Sequence, residues 1–143
     1  MLDEMNEEYN MITLSIPTRK RIDFVEISDL VQKEVSRAGV SEGIVTIYVP
    51  HTTCGITINE HADPSVADDI IMQLTKLVPY QAGYRHMEGN ADSHVKTSLM
   101  GSSETVIIEG RKLVLGTWQG IFLADFDGPR SRKVFLKILR SEV

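Results

Sequence analysis

Apolar and small polar residues alternate over residues 11–16, the period of a strand that lays one face on a core. A polar turn over residues 17–21 interrupts the alternation, which resumes over residues 22–27. The period then lengthens. Ile27, Leu30, Val31, Val35 and Ala38 recur at helical spacing, predicting a helix with Ser28 as N-cap and a stop at Gly39. Residues 44–49 are β-branched and aromatic, a strand that Pro50 ends, and residues 54–59 alternate again. Asp63-Pro64 reads as a cap followed by a first-turn proline. Val66, Ile70, Leu74 and Val78 then recur every four residues up to Pro79, so the second helix is amphipathic.

Residues 80–93 carry no period and are rich in Gly, Asn and polar side chains. Long aperiodic stretches within a compact domain are usually functional or disordered, and two histidines at the edge of this one point to function. A short helix is expected over residues 94–100. Strands are expected over residues 105–109, 113–115, 119–126 and 133–139, with turns at Gly110-Arg111 and Asp127-Gly128-Pro129. Val134, Leu136 and Ile138 fall on one face of the last strand. The pattern predicts an α+β fold of packed, mostly antiparallel sheets with two or three helices.

Composition narrows the classes of function. The chain has 143 residues, 42% of them hydrophobic and 24% charged, enough for one domain with its own core over residues 11–143. Residues 1–10 hold four acids and no basic residue, which reads as a frayed acidic terminus rather than a secretory signal. With 15 basic against 20 acidic residues the net charge is -5, a poor basis for a broad nucleic-acid footprint. No apolar run approaches the roughly 20 residues of a membrane span, so no membrane partner is expected and the cytoplasm is the expected location. Cys54 is the only cysteine, which excludes an intrachain disulfide and cysteine-rich zinc motifs. It reads as core filler rather than as a nucleophile.

The candidate chemistry sits where predicted elements meet loops. His51-Thr52-Thr53 follows Pro50, and its imidazole and hydroxyls could orient a ligand, though a strand-end histidine beside two β-favouring threonines is the plainer reading. In the segment from Asn59 to Pro64, Asp63 is explained as a helix cap. Glu60 is not, and could serve as a general base, a metal ligand or an exposed loop acid. His61 reads as exposed and idle. His86 and His94 are eight apart with Glu88, Asn90 and Asp92 between them. A loop could bring both rings to one point with His51. That inventory suits a three-ligand catalytic metal with an open position, Zn²⁺ or Mg²⁺, and suits metal-free acid–base chemistry or anion binding about equally well. Gly116-Thr117-Trp118-Gln119-Gly120 offers a flat indole between polar edges, or alternatively a core tryptophan near a bulge. After the turn at Asp127, Arg130 could receive a phosphate or carboxylate in a two-pronged fashion.

In their order and spacing these segments resemble one family. His51-Thr52-Thr53, Asn59-Glu60 with Asp63-Pro64, His86 and Asn90 with His94, Gly116-Thr117-Trp118-Gln119 and Asp127-Gly128-Pro129-Arg130 are similar to the YjbQ-like family, also called the secondary thiamine-phosphate synthase family. The resemblance covers nearly the whole chain from Met11. It implies packed antiparallel sheets, a homotrimer, and a pocket near subunit boundaries lined by the matching His, Glu, Asn and Thr positions. It also implies a weak thiamine phosphate synthase activity, a transferase reaction that joins a hydroxymethylpyrimidine diphosphate to a thiazole phosphate with loss of pyrophosphate. Asp125 departs from the pattern, where glutamate is expected more often; if that acid binds a ligand, its geometry changes with the shorter side chain.

Two functions follow as expectations. One is an enzyme acting on a small phosphorylated or anionic metabolite, with Glu60 as base or orienting acid and His51, His86 and His94 binding the anion or a metal. The other is a trimeric small-molecule or metal-binding module without turnover of its own.

Overall fold

The computed structural model describes residues 11–141; the acidic segment over residues 1–10 lies outside them. Among the described residues eight strands and three helices follow the order β1 (Ile12–Pro17), β2 (Asp23–Glu26), α1 (Ser28–Ala38), β3 (Gly43–Tyr48), β4 (Cys54–Glu60), α2 (Pro64–Leu77), α3 (Ala91–Met100), β5 (Ser103–Glu109), β6 (Lys112–Leu113), β7 (Gln119–Asp125) and β8 (Ser131–Arg140). They form a five-stranded sheet ordered β1-β8-β3-β5-β6 and a three-stranded sheet ordered β2-β7-β4. Every pairing is antiparallel. The α+β class with packed antiparallel sheets is therefore the fold.

The core lies between the sheets. Val45, Ile47, Val106, Val134 and Leu136 of the larger sheet meet Ile56, Ile121 and Leu123 of the smaller one, and Ile27, Val31 and Val35 of the α1 segment close the side. Alternation decides which residues enter: the inward row Val134, Leu136 and Ile138 of β8 is buried, as its period predicts. The strand β7 is buried on both faces because its second face is also covered. Phe122 packs its ring 6.5 Å from that of Phe24, and Phe24 meets Phe126 edge-on at 6.1 Å. At the far end of the same face, α3 comes close to β4 at Gly55, where a Cβ would lie 2.7 Å from the Gly101 carbonyl oxygen.

The helices differ from the sequence reading in two respects. Ser28 begins α1, but Ile27 occupies the cap position and makes no side-chain bond there. The Ser28 hydroxyl instead donates to Glu26 at 2.8 Å and accepts the Ile121 N–H at 2.8 Å, tying the helix start to the edge strand β2 and the central strand β7 of the small sheet. Leu30, expected on the buried face, is 43% exposed. In α2 the expected cap is present: Asp63 accepts the Ser65 N–H and hydroxyl at 3.0 and 2.8 Å. These bonds, the Ser65 hydroxyl first, hold the Asp63 carboxyl below its ordinary proton affinity. Yet no residue of α2 is fully buried, and its apolar stripe is only half covered. Among the described residues no helix is long and apolar enough to cross a membrane.

Candidate functional site

The residues singled out by sequence do not gather at one point within the chain. They divide between the two ends of β4 and β7. These strands run seven residues each, roughly 20 Å at the rise of a strand, and Cys54 pairs with Asp125 at one end while Glu60 pairs with Gln119 at the other.

At the Cys54 end stand His51, Thr52, Thr53, Asp125 and the turn bearing Arg130. Asp125 is no ligand group. Its side chain is completely buried, one oxygen receiving Arg132 at 2.7 Å and the Asp127 N–H at 3.0 Å, the other receiving the Thr18 hydroxyl at 2.7 Å. Arg132 lies on the larger sheet, so the pair crosses the sandwich. Arg132 also donates to the Thr53 hydroxyl at 2.8 Å, which fixes Thr53 as a buried structural residue, while Thr52 is exposed. The Cys54 thiol beside them is buried, and burial pushes its pKa up to about 12, so it is inert as a nucleophile.

His51 accepts the Lys133 N–H on Nε2 at 2.9 Å. The neutral ring must then carry its proton on Nδ1. Burial, and then the neighbouring Arg132, hold its proton affinity below the ordinary histidine value, with Arg130 and Lys133 adding to the effect against the opposing pull of Asp125. His51 is thus a neutral N–H donor in cationic surroundings, a poor metal ligand but a suitable anion contact.

The loop before α3 joins this end. Asn90 donates to Asp127 at 2.9 Å, and Asp127 in turn accepts Arg130 on its carboxylate at 3.2 Å and on its carbonyl at 3.0 Å. Arg21 grips Asp92 at the helix start with both guanidinium nitrogens, at 2.8 and 3.2 Å, and lies 4.3 Å over the Tyr80 ring. Lys96, 1% exposed, completes this cluster at 2.7 Å from Asp92. Burial alone would raise the Asp92 carboxyl; the bonds from Arg21 and Lys96 outweigh it and hold the carboxyl below its ordinary range. With its base anchored in this way, the loop sets the His86 and His94 rings edge to face, centroids 5.2 Å apart. The two rings border an open cleft of about 370 Å³ shared with Tyr84, Arg85, Ala91 and Val95, and His86 also borders a second cleft of about 240 Å³ under Tyr80 and Gly83.

At the opposite end are Asn59, Glu60, Thr117, Trp118 and Gln119. Glu60 has a local role that its sequence context concealed: it accepts the Asp63 N–H at 2.7 Å and closes the turn into α2. Asn59 accepts the Glu60 N–H at 2.8 Å. Trp118 is 61% exposed rather than buried in the core. Gln119 caps its own turn by accepting the Gly116 N–H at 2.8 Å, and Thr117 is exposed. His61, read as idle, carries the best-defined histidine contact here: Nδ1 lies 2.8 Å from Glu26, and its backbone N–H donates to the Trp118 carbonyl at 2.9 Å.

Within one chain the three histidines do not converge. His86 and His94 adjoin each other, but His51 commits its Nε2 lone pair to the Lys133 amide, and among the described residues no three His, Cys, Asp or Glu side chains converge on a metal position. The donor set within one chain does not fit a resident Zn²⁺ or Mg²⁺.

Comparison with known proteins fixes the lineage. Residues 12–141 match the family described as UPF0047 protein YjbQ-like. The chain belongs to this family. A UPF0047 protein of Methanocaldococcus jannaschii is 53% identical over 124 residues, spanning 87% of this chain and 90% of that one. YugU of Bacillus subtilis is 44% identical over 128 residues, spanning 89% and 97%. Among solved structures, a YjbQ/UPF0047 protein of Clostridium acetobutylicum superposes with a TM-score of 0.88 at 53% identity, covering 90% of this chain and 99% of that one. A hypothetical protein of Aeropyrum pernix gives 0.88 at 30% identity, covering 92% and 99%. The YjbQ-like fold is thus shared across widely separated organisms, and none of these names states a reaction.

Proposed function

We propose that this YjbQ-like protein is an enzyme acting on a small phosphorylated or anionic metabolite, bound at the end of the sandwich that carries His86, His94 and Arg130. The observation that carries the reading is the edge contact between His86 of the loop and His94 of the first turn of α3, tied through Asn90 and Asp127 to the Arg130 guanidinium. Two imidazoles and an arginine can share the charge of phosphate oxygens, and a leaving phosphate or pyrophosphate needs that charge neutralised as it departs. The depressed proton affinity of His51, due to burial and then to the cations around it, is a second sign that this end favours an anion.

The family resemblance gives the reaction a form: transfer of a hydroxymethylpyrimidine group from its diphosphate to a thiazole phosphate, as a weak thiamine phosphate synthase activity beside a principal substrate of the same anionic class. His86 or His94 would protonate the departing pyrophosphate. Glu60 stands a strand length away from this end, so a role as general base requires the neighbouring subunit of a homotrimer. Such an assembly is supported by α2, an amphipathic helix without one fully buried residue. The cytoplasm is the compartment that suits a phosphorylated substrate.

The test is titration of the protein with inorganic pyrophosphate by calorimetry, beside His86→Ala and His94→Ala. Each variant should lose at least about tenfold in affinity while its circular dichroism is retained, the loss of one charge-assisted contact. Unchanged affinity in both would overturn the assignment.

The specific observation favouring a second reading, a binding module without turnover, is the local engagement of Glu60 by the Asp63 amide. If the protein binds pyrophosphate but shows no rate with the two thiamine precursors that Glu60→Gln could lower, the module reading prevails.

A further inference from the structure

The second face of the small sheet holds a cleft lined by neither His86, His94 nor Arg130. Its volume is about 220 Å³, below the roughly 300–1,000 Å³ of sites for drug-sized ligands and enough for one ring. Phe24, Phe122 and Ile71 line it, giving it an apolar wall between the sheet and α2.

Into this wall the fold builds a carboxylate–imidazole pair. His61 Nδ1 lies 2.8 Å from Glu26 Oε2. The same oxygen accepts the Ser28 hydroxyl at 2.8 Å, and Ser28 is itself held by the Ile121 N–H at 2.8 Å. Glu26 is therefore fixed from behind and sets the His61 ring. A carboxylate can only accept, so Nδ1 carries the proton and Nε2 is the nitrogen left for a ligand. The backbone has made room for the pair: a Cβ on Gly120 would lie 2.6 Å from His61 Cβ and 2.7 Å from Glu26 Oε2. This gives the final glycine of the Gly116–Gly120 segment a definite role, since any side chain there displaces the pair.

Charge selects the ligand. Asp23, Glu60, Asp63 and Asp68 surround the cleft against a single cation, Lys20. Several of these oxygens serve local turns, but their charge acts on the cleft regardless. An anion is disfavoured here, in contrast to the surroundings of His51.

The geometry points to a second binding site, in which a small aromatic ammonium ion lays its ring against Phe24 and Phe122 and donates a hydrogen bond to His61 Nε2 under the field of the acidic rim. Ring stacking and a positively charged donor answer both features of the cleft at once. The site is distinct from the anion end in its lining: it shares neither His86, His94 nor Arg130, although Asp23 and Phe24 pair with β7 at Asp125 and Ala124.

The experiment is a titration of the ¹⁵N-labelled full chain with benzylammonium, and separately with benzoate, followed by two-dimensional NMR. Benzylammonium at millimolar concentration should shift the amides of Phe24, Ala67 and Phe122 saturably, and benzoate should not. His61→Ala should weaken the affinity about tenfold and Asp68→Asn about threefold, in line with one hydrogen bond to a charged donor and one exposed charge. Asp68 is exposed on α2, so this variant keeps its fold and serves if His61→Ala does not. The proposal is overturned if benzylammonium gives no saturable shift, if benzoate shifts the same amides equally, or if the affinity is unchanged in the folded variants. Pyrophosphate reports at His86 and His94 instead, so the two sites succeed or fail separately.

Discussion

Arg132 and Asp125 meet at 2.7 Å between the two sheets, with side chains 2% and 0% exposed. The pair joins β8 to β7 where the sandwich would otherwise open, and Arg132 already carries one buried nitrogen, Nε, without a partner. Removing the acid leaves a buried cation uncompensated. Asp125→Ala should therefore lower stability by about 3–5 kcal/mol, read as a shift of the urea midpoint. Asp125→Glu is the sharper experiment, because glutamate was the residue expected here. Both oxygens are already engaged by Thr18, Arg132 and the Asp127 amide, so one added methylene overpacks the junction and costs about 1–3 kcal/mol. A variant as stable as the parent would show that the junction relaxes.

The Arg21–Asp92–Lys96 cluster makes an asymmetric prediction. Asp92 serves two cations, one of them 1% exposed. Asp92→Ala strands both and should cost about 3–5 kcal/mol. Lys96→Met leaves Asp92 with Arg21 and replaces a buried charge by an apolar chain of similar length, so its cost should be clearly smaller. Chemical denaturation of the two variants settles the order.

His51 predicts a pH dependence with a definite sign. Its folded proton affinity lies below the ordinary 6.5, so below that pH the unfolded chain takes up a proton that the folded chain refuses. Stability is then fully present above 6.5 and is lost as pH falls from there toward the folded value. The urea midpoint of His51→Asn should fall less steeply over this window than that of the parent; parallel curves would refute the account.

Cys54, fully buried with its thiol pushed up to about 12, should resist a disulfide reagent at neutral pH in the native state. Its labelling rate should follow global unfolding as denaturant is added. Rapid labelling of the native protein would place the sulfur at the surface.

Arg130 is half exposed and braced by Asp127 at its carboxylate and carbonyl. Arg130→Lys keeps the charge but loses the planar fork. It should weaken pyrophosphate binding severalfold by calorimetry, and Arg130→Ala should weaken it further, with little effect on stability for either.

Periodicity carried most of the fold. The α1 span, the Asp63 cap and the inward row of β8 could be read from spacing because each rests on neighbours in sequence. The α3 start at Ala91 was missed by three residues, since its first turn is held by Arg21 and Asp92 through tertiary bonds that no local pattern contains. The same reason explains the site. His86 and His94 were legible as a pair eight residues apart at the edges of one loop, whereas Glu26 and His61, or Asp125 and Arg132, meet only because strands distant in sequence are paired. Reading Glu60 as a residue without structural duty failed for the opposite reason, a bond only three residues long to the Asp63 amide.

A helix with no fully buried residue has little holding it down except its own ladder and whatever lies over it. In α2 that makes amide exchange a gauge of assembly: its protons should trade with solvent far ahead of those in β7, which is buried along nearly its whole length. Diluting the protein should hasten that exchange if subunits cover the helix and leave it unaltered if they do not, so one segment records the quaternary state without any ligand being known.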